Sequence, residues 1–176
     1  ERVEHTDCYR ILDGRFEGAA GWTVDRFGSV ALVRRYGEPA SADTLISGLQ
    51  SLLGPGAAVV LRQAGQDADC VAGELPPAAD DDPLGDRSGR LVVHEEGLRF
   101  GVDLFYGRNP GLFLDARQAR QLVRKRSASR RILNLFSYTS AFGVAAAAGG
   151  ARSVTNVDLV RSALDRGRIN FALNEL

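Results

Sequence analysis

The chain has 176 residues, 44% of them apolar and 25% charged, with 22 basic and 22 acidic side chains and a formal charge of zero. This composition excludes a disordered chain and a strongly basic nucleic-acid binder, and no apolar run approaches the ~20 residues that span a bilayer. The length suffices for one sizeable core or two small domains.

The first residue is Glu1 and there is no methionine, so the sequence reads as a fragment or a processed chain, with no visible signal peptide. Cys8 and Cys70 lie far apart, without a CxxC or His-rich pattern. Buried free thiols are expected rather than a zinc site, and no metal site is expected elsewhere. Cytoplasmic residence is the default.

In chain order, residues 8–12, 22–26 and 30–36 read as short strands between Gly14, Gly18, Gly21 and Gly28. With Phe27-Gly28-Ser29 as a hairpin turn they form an antiparallel meander. Residues 43–53 carry Leu45, Ile46, Leu49, Leu52 and Leu53 at helical spacing, with Ser41 as the cap and Gly54-Pro55 as the stop. Residues 57–62 read as a further strand, and the alternation predicts an α+β domain. Residues 71–89 are rich in Pro, Gly and Asp and read as loop, with Asp80-Asp81-Asp82 solvated because the ligand spacing of a calcium loop is absent. Residues 91–94 and 98–102 form a hairpin around Glu95-Glu96-Gly97, and His94 is an isolated histidine without a catalytic pattern.

Asp115 then reads as a helix N-cap and residues 116–126 as the helix. Arg120, Arg124, Lys125, Arg126, Arg130 and Arg131 follow without an intervening acid. A solvated helix face and a phosphate-contacting patch account for them equally well, and Arg120, Arg124, Lys125 and Arg126 are the candidate nucleic-acid contacts. Phe105 and Tyr106 upstream suit either base stacking or a core position.

Ile132, Leu133, Leu135 and Phe136 read as a buried parallel strand, residues 141–148 as a helix stopped by Gly149-Gly150, and residues 153–157 as a second strand ending at Asp158. Residues 160–173 are a second helix, with Val160, Ala163, Leu164 and Phe171 on one side. In such a β-α-β-α unit ligands lie at the carboxyl ends of the strands, where a carboxylate about 20 residues past the first turn accepts hydrogen bonds from a ribose. Asp158 stands 22 positions after Phe136. The turn Ser137-Tyr138-Thr139-Ser140-Ala141 lacks the glycines that let backbone N–H groups reach phosphates, which favours an adenosine cofactor without them, such as S-adenosylmethionine. An aspartate that only caps the next helix explains the same residue.

Several uncommon words stand together here. Gly111-Leu-Phe-Leu-Asp115-Ala-Arg117, Leu133-Asn-Leu-Phe-Ser-Tyr-Thr139 and Asn156-Val-Asp158, followed by Asn170 and Asn174, resemble the class I methyltransferases of large-subunit ribosomal RNA. Gly21-Trp-Thr-Val-Asp-Arg-Phe-Gly28 and Val71-Ala-Gly-Glu-Leu-Pro76 look like that family's middle domain. Ser140-Ala141 stands where the family often has Gly-Gly, Asn109-Pro110 replaces a Lys-Thr pair, and the family's later strands would fall beyond Leu176.

The resemblance implies an α+β N-terminal domain over 1–89 that faces RNA or substrate, a connecting β-hairpin over 90–114, and the start of an α/β Rossmann-like class I methyltransferase domain over 115–176. It implies S-adenosylmethionine as the cofactor, ribosomal RNA as the partner, no membrane, and a homodimer as one assembly to consider. The cofactor residues would be Asp115, Arg117, Asn134, Phe136, Ser137, Tyr138, Thr139, Asp158 and Leu159. Asp158 would take the ribose hydroxyls, Leu159 the adenine, and Arg117 the cofactor's carboxylate. No residue is assigned the catalytic role, and the chain is expected to be inactive alone. Two other readings compete. One is a non-catalytic RNA-binding or assembly module, since half a doubly wound sheet exposes an apolar edge. The other is a nicotinamide dehydrogenase, which the missing glycine fingerprint disfavours.

Overall fold

A computed structural model describes residues 6–36, 41–63, 67–77, 89–106 and 109–176. The Asp80-Asp81-Asp82 run lies outside the described residues. Runs of Val, Leu, Thr and aromatic residues give β1 (Cys8–Asp13), β2 (Trp22–Phe27) and β3 (Val30–Arg35), which pair antiparallel as the meander predicts. Helix α1 (Asp43–Leu53) carries the chain across to β4 (Val59–Gln63), parallel to β3, and β5 (Asp69–Ala72) lies antiparallel to β4 at the sheet edge. The backbone N–H of Asp43 donates to Ser41 Oγ at 3.2 Å, while Ala42 holds the cap position itself. Gly54, at φ 115°, ends the helix.

β5 departs from the expected loop. It has four residues, of which Asp69, Cys70 and Val71 are exposed, so no apolar alternation marks it. The exposed edge also corrects the expectation for Cys70, whose thiol is at the surface, whereas Cys8 is buried as expected.

Period-two alternation gives this sheet two faces. Trp22, Val24, Ala31, Val33 and Val59 pack beneath Leu49 of α1. On the other face Phe27, Val30, Leu32 and Val60 pack against the hairpin of β6 (Arg90–Glu95) and β7 (Leu98–Asp103). The same buried cluster includes Val93, Phe100, Val102, Val144 and Ala145, so one core runs from the first sheet into the C-terminal part. Two residues further along the strands this second face becomes charged, with Arg10 opposite Asp25 and Arg34 beside Arg62 in register.

A 3-10 turn (Leu114–Ala116) leads into α2 (Arg117–Arg126), β8 (Arg131–Leu135), α3 (Ala141–Ala148), β9 (Ser153–Val157) and α4 (Arg161–Leu173). β8 and β9 are parallel and in register from Arg131 and Ser153 to Leu135 and Val157. Three expectations change. Within these 176 residues β8 buries one face: Ile132 and Asn134 turn inward on the side where α3 packs, while Leu133 is 62% and Leu135 56% exposed. On α4 Ala163 is buried and Phe171 packs against the core as expected, but Val160 is exposed, and Gly167 and Asn170 are buried as well. Asp115 falls inside the 3-10 turn, and the cap position of α2 is Ala116.

α2 is tied to the hairpin by a buried ion pair. Arg120 donates through Nε and Nη2 to the two Glu95 carboxylate oxygens, both at 2.7 Å, and again through Nη2 to the Phe113 carbonyl at 2.8 Å. Arg120 is therefore not an exposed RNA contact; the Glu95 charge draws it into the interior, where its burial is compensated. Among the described residues no helix is long and apolar enough to cross a membrane.

Candidate functional site

The turn after β8 is held in a costly conformation. Phe136, Tyr138 and Ser140 have φ of 53°, 48° and 60°, and a non-glycine residue in that region costs of order 1–3 kcal/mol. Surrounding bonds fix it. Ser137 N–H donates to the Val157 carbonyl at 3.0 Å and Ser140 N–H to the Ser137 carbonyl at 2.7 Å. Thr139 Oγ1 donates to the Gly111 carbonyl, and the Tyr138 hydroxyl donates to the Asn109 carbonyl at 2.9 Å. Burial raises the Tyr138 phenol above its ordinary pKa, which keeps it a donor.

Asp158 closes the same turn from the end of β9. Its Oδ2 accepts the Tyr138 N–H at 2.7 Å and its Oδ1 the Val160 N–H at 2.9 Å. The Val160 bond first, and then the Tyr138 bond, hold the carboxyl below its ordinary pKa of 3.8. Each oxygen keeps acceptor capacity beyond these bonds. Asp158 thus does stabilise the start of the next helix, as its plainer reading requires, and it also presents an ionised group at the strand ends. Beside it in sequence Leu159 is 98% exposed, and Phe136 at the end of β8 is 87% exposed. Ser137 Oγ is buried without a hydrogen-bond partner among the described residues. Exposed apolar side chains for a flat ring, a carboxylate for hydroxyls, an orphaned hydroxyl and no glycine cradle together suit an adenosine without phosphates.

The structure thus brings Phe136, Ser137, Tyr138, Thr139, Asp158 and Leu159 to one end of the β8–β9 pair. Asn134 is placed differently. Its Nδ2 donates to Asn156 Oδ1 at 2.9 Å, one step back along the strands, beneath Gly143 of α3, where an added Cβ would lie 2.3 Å from that oxygen. Asp115 and Arg117 line a separate cleft, joined to the turn through Phe113, whose ring lies 5.5 Å from that of Tyr138.

Of two residues without an assigned role, Asn170 supports the turn and Asn174 ties the end of the same helix to β7. Asn170 Oδ1 accepts the Gly101 N–H at 2.8 Å while its Nδ2 donates to the Thr139 carbonyl at 2.9 Å. Asn174 Oδ1 accepts the Arg99 N–H at 2.9 Å, and its Nδ2 donates to the Arg99 carbonyl at 2.7 Å. Four residues of helix rise about 6 Å and two of strand about 6.6 Å, so asparagines at this spacing meet alternate residues of β7. The signal available in the sequence was that pair of amides four apart on one helix. Gly111 completes the support: at φ 129° it leaves room for Arg166, which donates to the Pro110 carbonyl.

The cleft has a volume of about 1040 Å³ and lies between the charged end of the first sheet and Phe105 with residues 109–117. Arg10 Nε donates to Asp25 Oδ1 at 2.7 Å, and Arg34 donates to Asp25 Oδ2. Arg62, beside Arg34, donates to the Leu104 carbonyl at 2.6 Å; Arg35 donates to Gln63 Oε1 at 2.8 Å. Burial, and then the Arg34 charge, lower the pKa of Arg62 from its ordinary value. Neither Asp158 nor the turn lines this cleft.

A parallel β-α-β-α unit with an ionised carboxylate at the end of its second strand and no phosphate cradle is an α/β arrangement consistent with a class I methyltransferase fold. Residues 21–176 match the model of the S-adenosylmethionine-dependent methyltransferases, and the chain belongs to that family. It is 35% identical over 181 aligned residues to the ribosomal RNA large subunit methyltransferase I of Shigella dysenteriae, covering 97% of this chain and 42% of that protein. Among solved structures it is similar to a putative S-adenosylmethionine-dependent methyltransferase from Streptococcus mutans, with a TM-score of 0.81, 27% identity and coverage of 99% of this chain and 44% of that one. A putative methyltransferase solved in complex with SAH matches with the same figures. The chain spans less than half the length of the curated relatives it matches. These matches do not favour the non-catalytic module or the dehydrogenase.

Proposed function

We propose that this chain holds S-adenosylmethionine at the Asp158 turn and serves methyl transfer to a base of ribosomal RNA in the cytoplasm. The observation that carries this reading is the ionised Asp158 carboxylate bridging the two strand ends, with Phe136 and Leu159 exposed beside it. Asp158 would accept the ribose hydroxyls, Phe136 and Leu159 would enclose the adenine, and Ser137 Oγ and the 137–139 backbone would meet the methionyl part. Arg117 is the candidate for the carboxylate. When bound, the cofactor supplies a methyl group already activated by its sulfonium. The chain's own task is to orient that group in line with the acceptor, and the fixed turn provides this orientation. The names carried by the relatives support RNA as the acceptor. In the same reading residues 1–89 face RNA, 90–114 connect, and 115–176 hold the cofactor.

The test supplies the intact protein with S-adenosylmethionine labelled on its methyl group and with deproteinised large-subunit RNA. Label is expected in RNA with the native chain and not with Asp158→Ala. Label confined to protein, or none in RNA while S-adenosylhomocysteine still binds, would remove RNA as the acceptor.

A further inference from the structure

The charged end of the first sheet is larger than one cavity. Beside the cleft of about 1040 Å³ lies a second one of about 390 Å³, which shares Arg10 and Tyr36 with it and is lined further by Trp22 and Arg15. The larger one alone reaches the upper end of the ~300–1,000 Å³ that a single small ligand fills, and the one beside it points to a longer occupant.

Its charges do not cancel. Asp25 is shared by Arg10 and Arg34, and Asp13 is held by Arg15 and Arg10. Arg35 and Arg62 bond to the neutral acceptors Gln63 Oε1 and Leu104 O rather than to a carboxylate, and the Nε atom of each is buried without an acceptor among the described residues. Asp67 and Asp115 are the lining carboxylates that form no ion pair among the described residues. Rings line the cleft together with the cations: Tyr9, Tyr36, Phe105 and Phe113, of which Tyr36 is more than half exposed and Phe105 packs against the core. Cationic groups in one cleft with accessible rings suit a strand whose bases are unpaired, since a duplex keeps its bases stacked on one another. At its far end Phe113 touches Tyr138 of the cofactor turn, so a strand in the groove leads towards the Asp158 site.

We propose that this groove binds single-stranded RNA, with phosphates against Arg35 and Arg62 and a base stacked on Tyr36. The proposal rests on the reading of the chain as an RNA methyltransferase and gives that reading its point of grip. It also moves RNA contact away from α2, where Arg120 is locked by Glu95 and Arg124 donates to the Glu96 carbonyl.

Fluorescence anisotropy of a short labelled RNA single strand, and of the duplex of the same sequence, tests it on the intact protein. The variants are Arg35→Gln with Arg62→Gln, Tyr36→Ala, and Lys125→Gln with Arg126→Gln on α2. Titration with S-adenosylhomocysteine runs in parallel. The double arginine variant is expected to weaken single-strand binding about ten-fold or more and to lower the slope of log affinity against log salt by about 1.4, the value for two phosphates. Tyr36→Ala, at an exposed position that leaves the fold intact, is expected to cost about five-fold or more. The α2 variant and all S-adenosylhomocysteine affinities are expected to be unchanged. Unchanged RNA affinity in both groove variants, loss confined to the α2 variant, or a duplex bound as tightly as the single strand overturns the proposal. S-adenosylhomocysteine binding without any RNA binding overturns the groove alone. The predicted RNA losses without S-adenosylhomocysteine binding uphold the groove and remove the cofactor reading.

Discussion

At the end of β9 one carboxylate, Asp158, serves two backbone N–H groups and forms no ion pair among the described residues; at the end of the first sheet one carboxylate, Asp25, is shared by two guanidinium groups with a third alongside. The first arrangement leaves acceptor capacity for hydroxyl donors. The second leaves donors and positive charge for an anion. Adjacent regions of one chain are thus prepared for opposite partners, and the two are joined by the Glu95–Arg120 pair and by Phe113.

The largest effect on this arrangement comes from cutting the joint. Glu95→Gln or Arg120→Leu leaves one charge buried without its partner, for about 3–5 kcal/mol of lost stability in denaturant unfolding. Both ligands should then weaken together. Asn170→Ala separates the regions. It leaves the Gly101 N–H and the Thr139 carbonyl unsatisfied, at about 1–3 kcal/mol each. S-adenosylhomocysteine affinity should fall with little change in RNA affinity, and equal losses of both would show that the two sites are not independent.

Smaller effects follow from titration. Burial pushes the Cys8 thiol from 9.0 up to about 12, so the folded chain keeps the proton that the unfolded chain loses. The stabilisation from a neutral Cys8 is complete below about pH 9 and is lost as pH rises from there, at about 1.4 kcal/mol per unit. Unfolding of Cys8→Ala compared with the native chain between those limits should show the slope removed. A thiol reagent should label exposed Cys70 in the folded chain and Cys8 only after unfolding. The smallest effect is expected at Asp158. Its lowered pKa means that its contribution is complete above 3.8 and declines as pH falls through the depressed native value. Cofactor binding should therefore be independent of Asp158 protonation down to pH 3.8, as measured by titration in a pH series.

What could be read from the sequence was local. The alanine run closed by Gly149-Gly150 sets α3, and Ser153 to Val157 form β9 with the predicted ends, because propensity and stop signals lie within the segments. The strand-end position of Asp158 follows from the same pattern. Which faces are covered did not follow: Leu133 and Leu135 belong to an apolar run, and only the placement of α3 shows that they are exposed. Arg120 looked like its basic neighbours until Glu95, 25 residues earlier, was seen to hold it. The cleft could not be read at all, because strand register brings together Arg10, Asp25, Arg34 and Arg62, which share no local pattern.

Calorimetric titration of the intact protein with S-adenosylhomocysteine, native against Asp158→Ala, tests the central claim most directly. Saturable binding that the substitution abolishes is the predicted result. Binding of equal strength in both proteins would contradict it and place the cofactor away from the turn.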